Sequence, residues 1–279
     1  MAAALVLGFL ISGCSSSGNP ARAGASPQPR AASSPIPVPP GLVTAGRLTI
    51  GADYHFAPQS YVDGNGHAAG FDIDLAGAIA SQLQLKLDVL NIDDPSIITG
   101  LTPQGRRYDV GVNQPAPVAL AAGLPVLTYF ASGQAVLVGV ANLRVKSLSG
   151  LCGSRVGAAP GSDGESALGR LNAGACHDVP VQIVAIGDEA VAAGDVASGR
   201  LDALVDDYPA AVLLGKTTAG TRVVPHHDPS AAIDYVFPPG GDAIRDAVAA
   251  ALKRLQGDGT YRRILNRWGL GEGAIKAVP

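Results

Sequence analysis

Two carboxylates stand directly after predicted β-strands, at the positions where an open α/β sheet binds its ligands. Asp53 ends the apolar run Leu48–Ala52, and Asp207 follows a second predicted strand. Ligands of open α/β sheets lie beyond the carboxyl ends of the strands. An aromatic ring and an amide, Phe56 and Gln59, come shortly after Asp53. Side chains of these types suit the non-covalent binding of a small polar solute.

The sequence lacks the common motifs of catalytic, nucleotide-binding and metal-binding sites. The sequence contains no Gly-x-Ser-x-Gly elbow and no Walker loop, and Gly64-x-Gly66 does not follow a strand as a nucleotide fingerprint does. Cys-x-x-Cys is also lacking, and the histidines show no spacing typical of metal ligands. We therefore expect no catalytic residues, no cofactor and no metal site.

The stretch Gly64–Ala80 contains the elements that position the first group of side chains. Gly64 and Gly66 favour a tight turn between two short extended runs. We expect Asp72 to cap the helix that follows, with Asp74 beside its positive end. The helix is predicted from apolar residues that recur every four positions, at Phe71, Leu75, Ile79 and Leu83.

The second half of the chain follows a similar plan. The segments Arg107–Val112 and Arg200–Val205 share the pattern Arg-x-Asp followed by a predicted strand. Strands and helices alternate around both segments, which predicts an α/β fold with two lobes of like topology. The extended runs Gln134–Val140 and Ser230–Val236 are predicted to cross between these lobes.

Three motifs, in this order, resemble one family. A strand followed by Asp-x-x-Phe-x-Pro, then Asp-Gly-x-Gly, then Gly-Phe-Asp-Ile-Asp-Leu is similar to the amino-acid family of bacterial extracellular solute-binding proteins, the receptors of ABC importers. The segment Gly259–Gly269 resembles the terminal helix of that family. The resemblance implies a two-lobed, type II periplasmic-binding-protein-like fold, in which each lobe is an open, mostly parallel sheet flanked by helices and two strands form the hinge. It places the first lobe at residues 47–138 and 231–279 and the second lobe at residues 139–230.

The resemblance also implies roles for individual side chains. Family members use the carboxylate of an Asp-x-Pro-x-Ala motif, here Asp207, to hold an α-amino group; a helix N-cap is the alternative for this residue. Phe56 matches the aromatic residue that packs on the ligand, with a core position as the alternative. Gly161 and Ser162 match a turn at a helix N-terminus that suits a carboxylate, or they form a simple capping turn.

The sequence departs from the family at the carboxylate clamp. Family members usually place an arginine after the strand that here ends at Val112, and its guanidinium forms two parallel hydrogen bonds with the α-carboxylate. This chain has Asn113 and Gln114 there, while Asp94 and Gln59 replace aromatic residues. A small polar solute is therefore predicted, either amino acid-like or an amine or amide without an obligatory α-carboxylate. The predicted binding residues are Asp53, Phe56, Gln59, Asp94, Asn113, Gln114, Gly161, Ser162 and Asp207.

The N-terminal segment predicts export and lipid attachment. Residues 1–13 are apolar and lead into Leu-Ile-Ser-Gly-Cys, which resembles a bacterial lipobox; a buried strand with an ordinary cysteine is the alternative. Lipidation of Cys14, for example by palmitate, anchors such a protein to the outer face of the cell membrane. Residues 14–46 are rich in Ser, Ala and Pro and are predicted to be a disordered tether.

The charge and the remaining cysteines narrow the partners and the compartment. The formal net charge is −3 and the basic residues are not clustered, so nucleic acid is not an expected partner. We expect a monomer that works with an ABC importer permease. In an oxidising compartment, Cys152 and Cys176 predict a disulfide that closes a loop of about 24 residues. Two buried free thiols are the alternative.

Two other functions are compatible with the predicted fold. A protein of this kind can report its ligand to a membrane kinase or another receptor. A few relatives are dehydratases, so an enzyme on the same scaffold is the more remote alternative. A permease encoded nearby favours transport over sensing, and turnover of a candidate solute favours an enzyme.

Overall fold

The computed structural model describes Met1, residues 34–224 and residues 231–276. Cys14 and the rest of the predicted leader, apart from Met1, lie outside the described residues. From Pro35 onwards the chain forms one compact unit that contains both predicted lobes.

Strands and helices alternate along this unit, as predicted. The strands are β1 (Arg47–Ala52), β2 (His55–Phe56), β3 (Ser60–Val62), β4 (Ala68–Ala69), β5 (Lys86–Asn91), β6 (Val110–Pro115), β7 (Val126–Ser132), β8 (Gln134–Gly139), β9 (Arg155–Ala158), β10 (Gln182–Ala185), β11 (Ala203–Asp207), β12 (Thr221–Val223) and β13 (Ala231–Val236). The helices are α1 (Phe71–Gln82), α2 (Asp94–Ile97), α3 (Ala116–Ala121), α4 (Asp163–Ala173), α5 (Glu189–Ser198), α6 (Tyr208–Thr217), α7 (Asp242–Gly257) and α8 (Thr260–Trp268).

Two five-stranded sheets form the centres of the two lobes. The first sheet has the order β5-β1-β6-β13-β7, and the second has the order β10-β9-β11-β8-β12. In the first sheet β13 is antiparallel to both of its neighbours, and in the second sheet β8 is antiparallel to both of its neighbours. The other strands of each sheet run in one direction. The predicted α/β class with two mostly parallel sheets is thus confirmed.

The chain changes sheets at Gly133, between β7 and β8. This position is earlier than the predicted boundary after residue 138. The reason is that the apolar run of β8 is buried almost throughout and forms an interior strand of the second sheet. β13 belongs to the first sheet, and the C-terminal helices bury Ile244, Leu252 and Leu265 in the same core as Ile50 and Phe71.

The helix α1 is not capped by Asp72 as predicted. Its N-cap is Gly70, with φ 131°, and its first N–H groups, those of Phe71 and Asp72, donate to the carbonyls of Pro58 and Gln59. These backbone acceptors take the place of a capping side chain. Asp72 is instead fully buried and accepts a 2.7 Å hydrogen bond from the phenol of Tyr129.

The described end of the predicted tether is ordered rather than free. Ile36 is 7 % exposed and, with Leu42, packs on the first core. The N–H of Val43 donates to the buried carboxylate of Asp109, which also accepts from the N–H of Thr49. These apolar contacts and the hydrogen bond to Asp109 hold this part of the segment on the first lobe, although its composition alone predicts a disordered coil.

A disulfide joins Cys152 to Cys176 across a sequence separation of 24 residues. It connects the segment before β9 to the segment after α4, and Cys176 lies in the core of the second lobe.

Of the helices described, none has both the length and the hydropathy to span a membrane.

Candidate functional site

A cavity of about 210 Å³ lies between the two sheets and has walls from both lobes. We term it the cleft cavity. The first lobe contributes Phe56, Gln59, Asp94 and Asn113, and the second contributes Gln134, Asp163 and Asp207. The other wall residues are Pro115, Ser132, Gly133, Ala231, Ala232 and Ile233. The structure thus brings five of the predicted ligand residues, from segments far apart in sequence, to one place.

Phe56 presents an apolar surface to this cavity. It lies in β2, which pairs with β3 in a small antiparallel sheet, and its side chain is 40 % exposed. The alternative of a core position for this ring is therefore excluded.

Asp53 anchors the loop beneath the cavity rather than lining it. One carboxylate oxygen accepts from the N–H of His55 at 3.0 Å and lies 2.6 Å from Nδ1 of the same residue, while the other accepts from the N–H of Asp94 at 2.8 Å. Burial acts to raise the pKa of Asp53, but these hydrogen bonds outweigh it and hold the pKa below its usual value. Asp53 thereby fixes the start of α2, which carries Asp94.

The polar side chains of the first lobe form a connected network. Gln114 is 2 % exposed and donates to the Asp94 carboxylate at 2.7 Å, so it orients that group. Gln114 itself does not line the cavity. Gln59 donates to Asn113 Oδ1 at 3.2 Å. Asn113, with φ 57°, donates its backbone N–H to the phenol of Tyr129.

On the second lobe, Asp207 occupies the N-cap position of α6 without a side-chain capping bond. Its carboxylate instead accepts a 2.6 Å hydrogen bond from Gln134 Nε2. Burial, with a further contribution from the negative charge of Asp163, raises the pKa of Asp207 above its usual value. In the described part of the chain, the Asp207 carboxylate is thus held by the Gln134 amide, and no ion pair to Arg or Lys is recorded for it.

The predicted carboxylate-binding turn is largely occupied by groups of its own helix. Ser162 is the N-cap of α4 and accepts from the N–H of Glu165 at 3.1 Å. The Glu165 carboxylate accepts from the N–H of Gly161 at 2.7 Å. Gly161 lines neither this cavity nor the neighbouring one described next, whereas Ser162 caps α4 and also lines the neighbouring cavity, so its role towards a ligand stays a prediction.

A second cavity of about 220 Å³ adjoins the first on the second lobe. We term it the acidic cavity because four carboxylates line it. It shares Gln134, Asp163 and Asp207 with the cleft cavity. The wall residues found only here are Ala159, Ser162, Gly164, Ile186, Glu189, Val205 and Asp206.

The acidic residues of this second cavity raise one another's pKa values. Burial, followed by the charges of Glu189 and Asp207, raises the pKa of Asp206 to about 7. Burial, followed by the charges of Asp207 and Asp188, raises the pKa of Glu189. None of the described residues that line this cavity is Arg or Lys, so no cation of these walls offsets the repulsion among the carboxylates.

Sequence reasoning missed Gln134, Asp163, Asp206 and Glu189. Asp163 and Asp206 are the immediate neighbours of Ser162 and Asp207, so the same strand-end and helix-start arguments apply to them. Gln134 and Glu189 carry no comparable signal, because their places depend on how β8 and α5 pack against β11.

A larger cavity of about 620 Å³ lies elsewhere, between α6 and α8, and contains none of the predicted residues. Its walls include Val212, Arg262 and Glu272. Within the described part of the chain, no group of three or more His, Cys, Asp or Glu side chains is placed to hold a metal ion.

Comparison with known proteins agrees with the two-lobed architecture. A solved ancestral arginine-binding protein bound to arginine superimposes with a TM-score of 0.58 at 30 % identity, covering 80 % of this chain and 98 % of that one. The fold it shares with this chain is that of type II periplasmic binding proteins.

Sequence relatives are also solute-binding proteins. A probable amino-acid ABC transporter-binding protein from Haemophilus influenzae is 25 % identical over 226 residues, covering 79 % of this chain and 84 % of the relative. The arginine-binding protein ArgT of Corynebacterium glutamicum is 25 % identical over 243 residues, covering 85 % and 79 %. Residues 48–271 match the profile of one family throughout. The chain therefore belongs to the bacterial extracellular solute-binding proteins, family 3.

Proposed function

We propose that this chain is the lipid-anchored solute-binding subunit of an ABC importer and that its two lobes close on a small cationic amine. The observation that carries this proposal is the charge of the cleft cavity. Among the described residues that line it, three are carboxylates (Asp94, Asp163 and Asp207) and none is Arg or Lys. An ammonium group supplies the donors that such a cavity lacks, and its attraction to the carboxylates strengthens as lobe closure removes water.

Each lobe contributes one part of the amine site. Asp94 and Asp207 come from opposite lobes, so a single cation bound between them stabilises the closed arrangement over the open one. The ring of Phe56 offers an apolar surface, and aromatic faces also attract cations. Gln59 and Asn113 offer amide groups for further polar atoms of the solute.

A free α-carboxylate fits this cavity poorly. A buried carboxylate without enough donors incurs a desolvation penalty of several kcal/mol. The N–H of Gly161 already donates to the Glu165 carboxylate, so in this turn the hydroxyl of Ser162 is the side-chain donor that remains, and the negative charge of Asp163 lies beside it. We therefore propose that the solute has lost, or never had, the carboxylate of an amino acid.

The role in transport and the lipid anchor rest on further observations. Relatives of this chain are named as amino-acid ABC transporter-binding proteins, which favours delivery to a permease over sensing. The lipobox-like sequence ending at Cys14 supports anchoring at the outer face of the cell membrane. The relatives described above are named as binding proteins, which supports a role in binding without turnover.

The amine site is tested by calorimetry with pentylamine. We expect Asp207→Asn to weaken binding by about 1.5–3 kcal/mol, the scale of a hydrogen bond to a charged group. Asp178→Asn, which makes the same charge change at a side chain that is 98 % exposed, serves as the matched control and should bind as the unmodified chain does. Equal effects of the two substitutions, or no amine binding by the unmodified chain, would contradict the proposal.

The transport role is tested separately in cells. Uptake of a labelled amine should fall when the chain is deleted and recover when it is restored. Unchanged uptake together with tight amine binding in vitro would favour the sensor over the importer subunit.

A further inference from the structure

The acidic cavity contains more negative charge than one ammonium group needs. Asp163 and Asp207 are shared with the cleft cavity, whereas Glu189 and Asp206 line only the acidic cavity. None of its described wall residues is Arg or Lys. A cation held between Asp94 and Asp207 therefore leaves a second pair of carboxylates uncompensated beside it.

Two buried acceptors in this cavity independently indicate a missing donor. Gln134 is 7 % exposed; its Nε2 is fixed by Asp207, while its Oε1 has no hydrogen-bond partner among the described residues. That oxygen faces Gly164, another wall residue, where a Cβ atom would lie only 3.1 Å from it. Asp206 Oδ2 is likewise buried without a partner in the described part of the chain. Buried acceptors are rarely left unpaired in native structures, so both atoms are suited to the N–H groups of a ligand.

The two cavities are neighbouring compartments of one site. Gln134, Asp163 and Asp207 form the partition and belong to the walls of both. A solute with two charged ends joined by a flexible chain could therefore place one end in each compartment, on either side of these shared residues.

We propose that the acidic cavity is a second ammonium subsite and that the solute is a linear dication, with one cationic end between Asp94 and Asp207 and the other at Glu189, Asp206 and Gln134 Oε1. This inference rests on the proposed amine-binding function and specifies its substrate class. The second ammonium donates to the unpaired acceptors and offsets the repulsion among the carboxylates. A divalent metal ion suits the site less well, since in the described residues the carboxylates are not grouped to coordinate one ion.

The test compares diamines with monoamines of equal length on the full chain. Calorimetry is carried out with 1,5-diaminopentane against pentylamine and with 1,4-diaminobutane against butylamine. At least one diamine should bind about tenfold or more tightly than its monoamine, since a second charge-assisted contact is added. Glu189→Gln and Asp206→Asn should reduce this ratio to within about threefold of unity, while Asp178→Asn should leave the ratio as it is. Asp206→Asn keeps an Oδ1 acceptor for the N–H of Asp207, which now donates to Asp206 at 2.8 Å, so the fold is retained.

The outcomes separate this inference from the proposed function. If monoamines bind but diamines bind no better, or if the Glu189 and Asp206 variants leave the ratio unchanged, the subsite is wrong and the amine-binding function stands. If no amine binds, both are wrong. If calcium binds the unmodified chain and displaces the diamine in a manner that depends on Asp206, the cavity is a metal site and the subsite is again overturned.

Discussion

The buried carboxyl group of Asp72 makes the stability of this protein depend on pH in a direction that can be stated in advance. Asp72 is 0 % exposed, and burial raises its pKa from 3.8 to about 8, although hydroxyl groups of Tyr129 and Ser60 oppose the rise. Between pH 3.8 and about pH 8, the folded state therefore keeps a proton on Asp72 that the unfolded state has released. Stability that the protonated carboxyl provides at low pH is lost as the pH rises through this interval.

The size of the effect follows from proton linkage. One proton bound by the folded state alone changes the free energy of unfolding by about 1.4 kcal/mol per pH unit. Between pH 5 and pH 7, Asp72 should thus lower the free energy of unfolding by roughly 3 kcal/mol. Asp206, with a pKa raised to about 7, adds a slope of the same sign. The contribution of Asp72 is the difference between the unmodified chain and Asp72→Asn, in which the amide can still accept from Tyr129 but has no proton to release.

The assay is urea unfolding, followed by circular dichroism at intervals from about pH 5 to pH 9. Asp72→Asn should show the shallower dependence and should become the more stable protein at high pH. Tyr129→Phe is the matched variant, because it removes the phenol that favours the carboxylate and keeps the carboxyl group. Its slope should persist to higher pH. Parallel pH curves for the unmodified chain and Asp72→Asn would refute the reasoning.

Three further predictions concern the turn before α1, the disulfide and the lipid anchor. Gly70→Ala should lower the free energy of unfolding in urea by more than the roughly 1–2 kcal/mol that a positive φ alone costs, because the new Cβ would lie 2.0 Å from a backbone oxygen. Gly66→Ala is the control: Gly66 has φ 82° and open surroundings, so this substitution should cost only that amount. Equal costs for the two substitutions would contradict the clash at Gly70. Replacing Cys152 and Cys176 by alanine should destabilise the chain by about 3 kcal/mol, from the entropy of the closed loop; unchanged unfolding midpoints would show that the link adds nothing. Cys14→Ala should release the protein from the membrane fraction, and continued retention there would mean that another anchor exists.

The sequence is sufficient to predict the fold because the fold depends on local periodicity and on the order of motifs. Phe71, Leu75, Ile79 and Leu83 recur with helical spacing, and all four are buried as that spacing requires. The glycine turn before α1 joins β3 to β4, as its residue types predict. The exact place where the chain changes sheets is harder to predict, because the short apolar run within β8 fits a crossing and an interior strand equally well.

The site was predicted less completely because its contacts are not local. The sequence predicts a ligand contact for Asp53, whereas in the structure its carboxylate accepts a hydrogen bond from the N–H of Asp94, 41 residues later at the start of α2. Asp72 was expected to cap α1, but backbone carbonyls of a preceding loop take that role. Gln134 and Asp207 meet across 73 residues, which no pattern within either segment indicates. The contribution of each residue to ligand binding stays a prediction.

The central claim is that the cleft selects for a cationic amine and against the carboxylate of an amino acid. Agmatine and arginine test it most directly, because they differ only in that carboxylate. Calorimetry on the full chain should show agmatine binding about tenfold or more tightly than arginine, since the acidic walls offer the carboxylate too few donors. Submicromolar binding of arginine, at least as tight as that of agmatine, would contradict the claim and would show that another donor replaces the missing guanidinium.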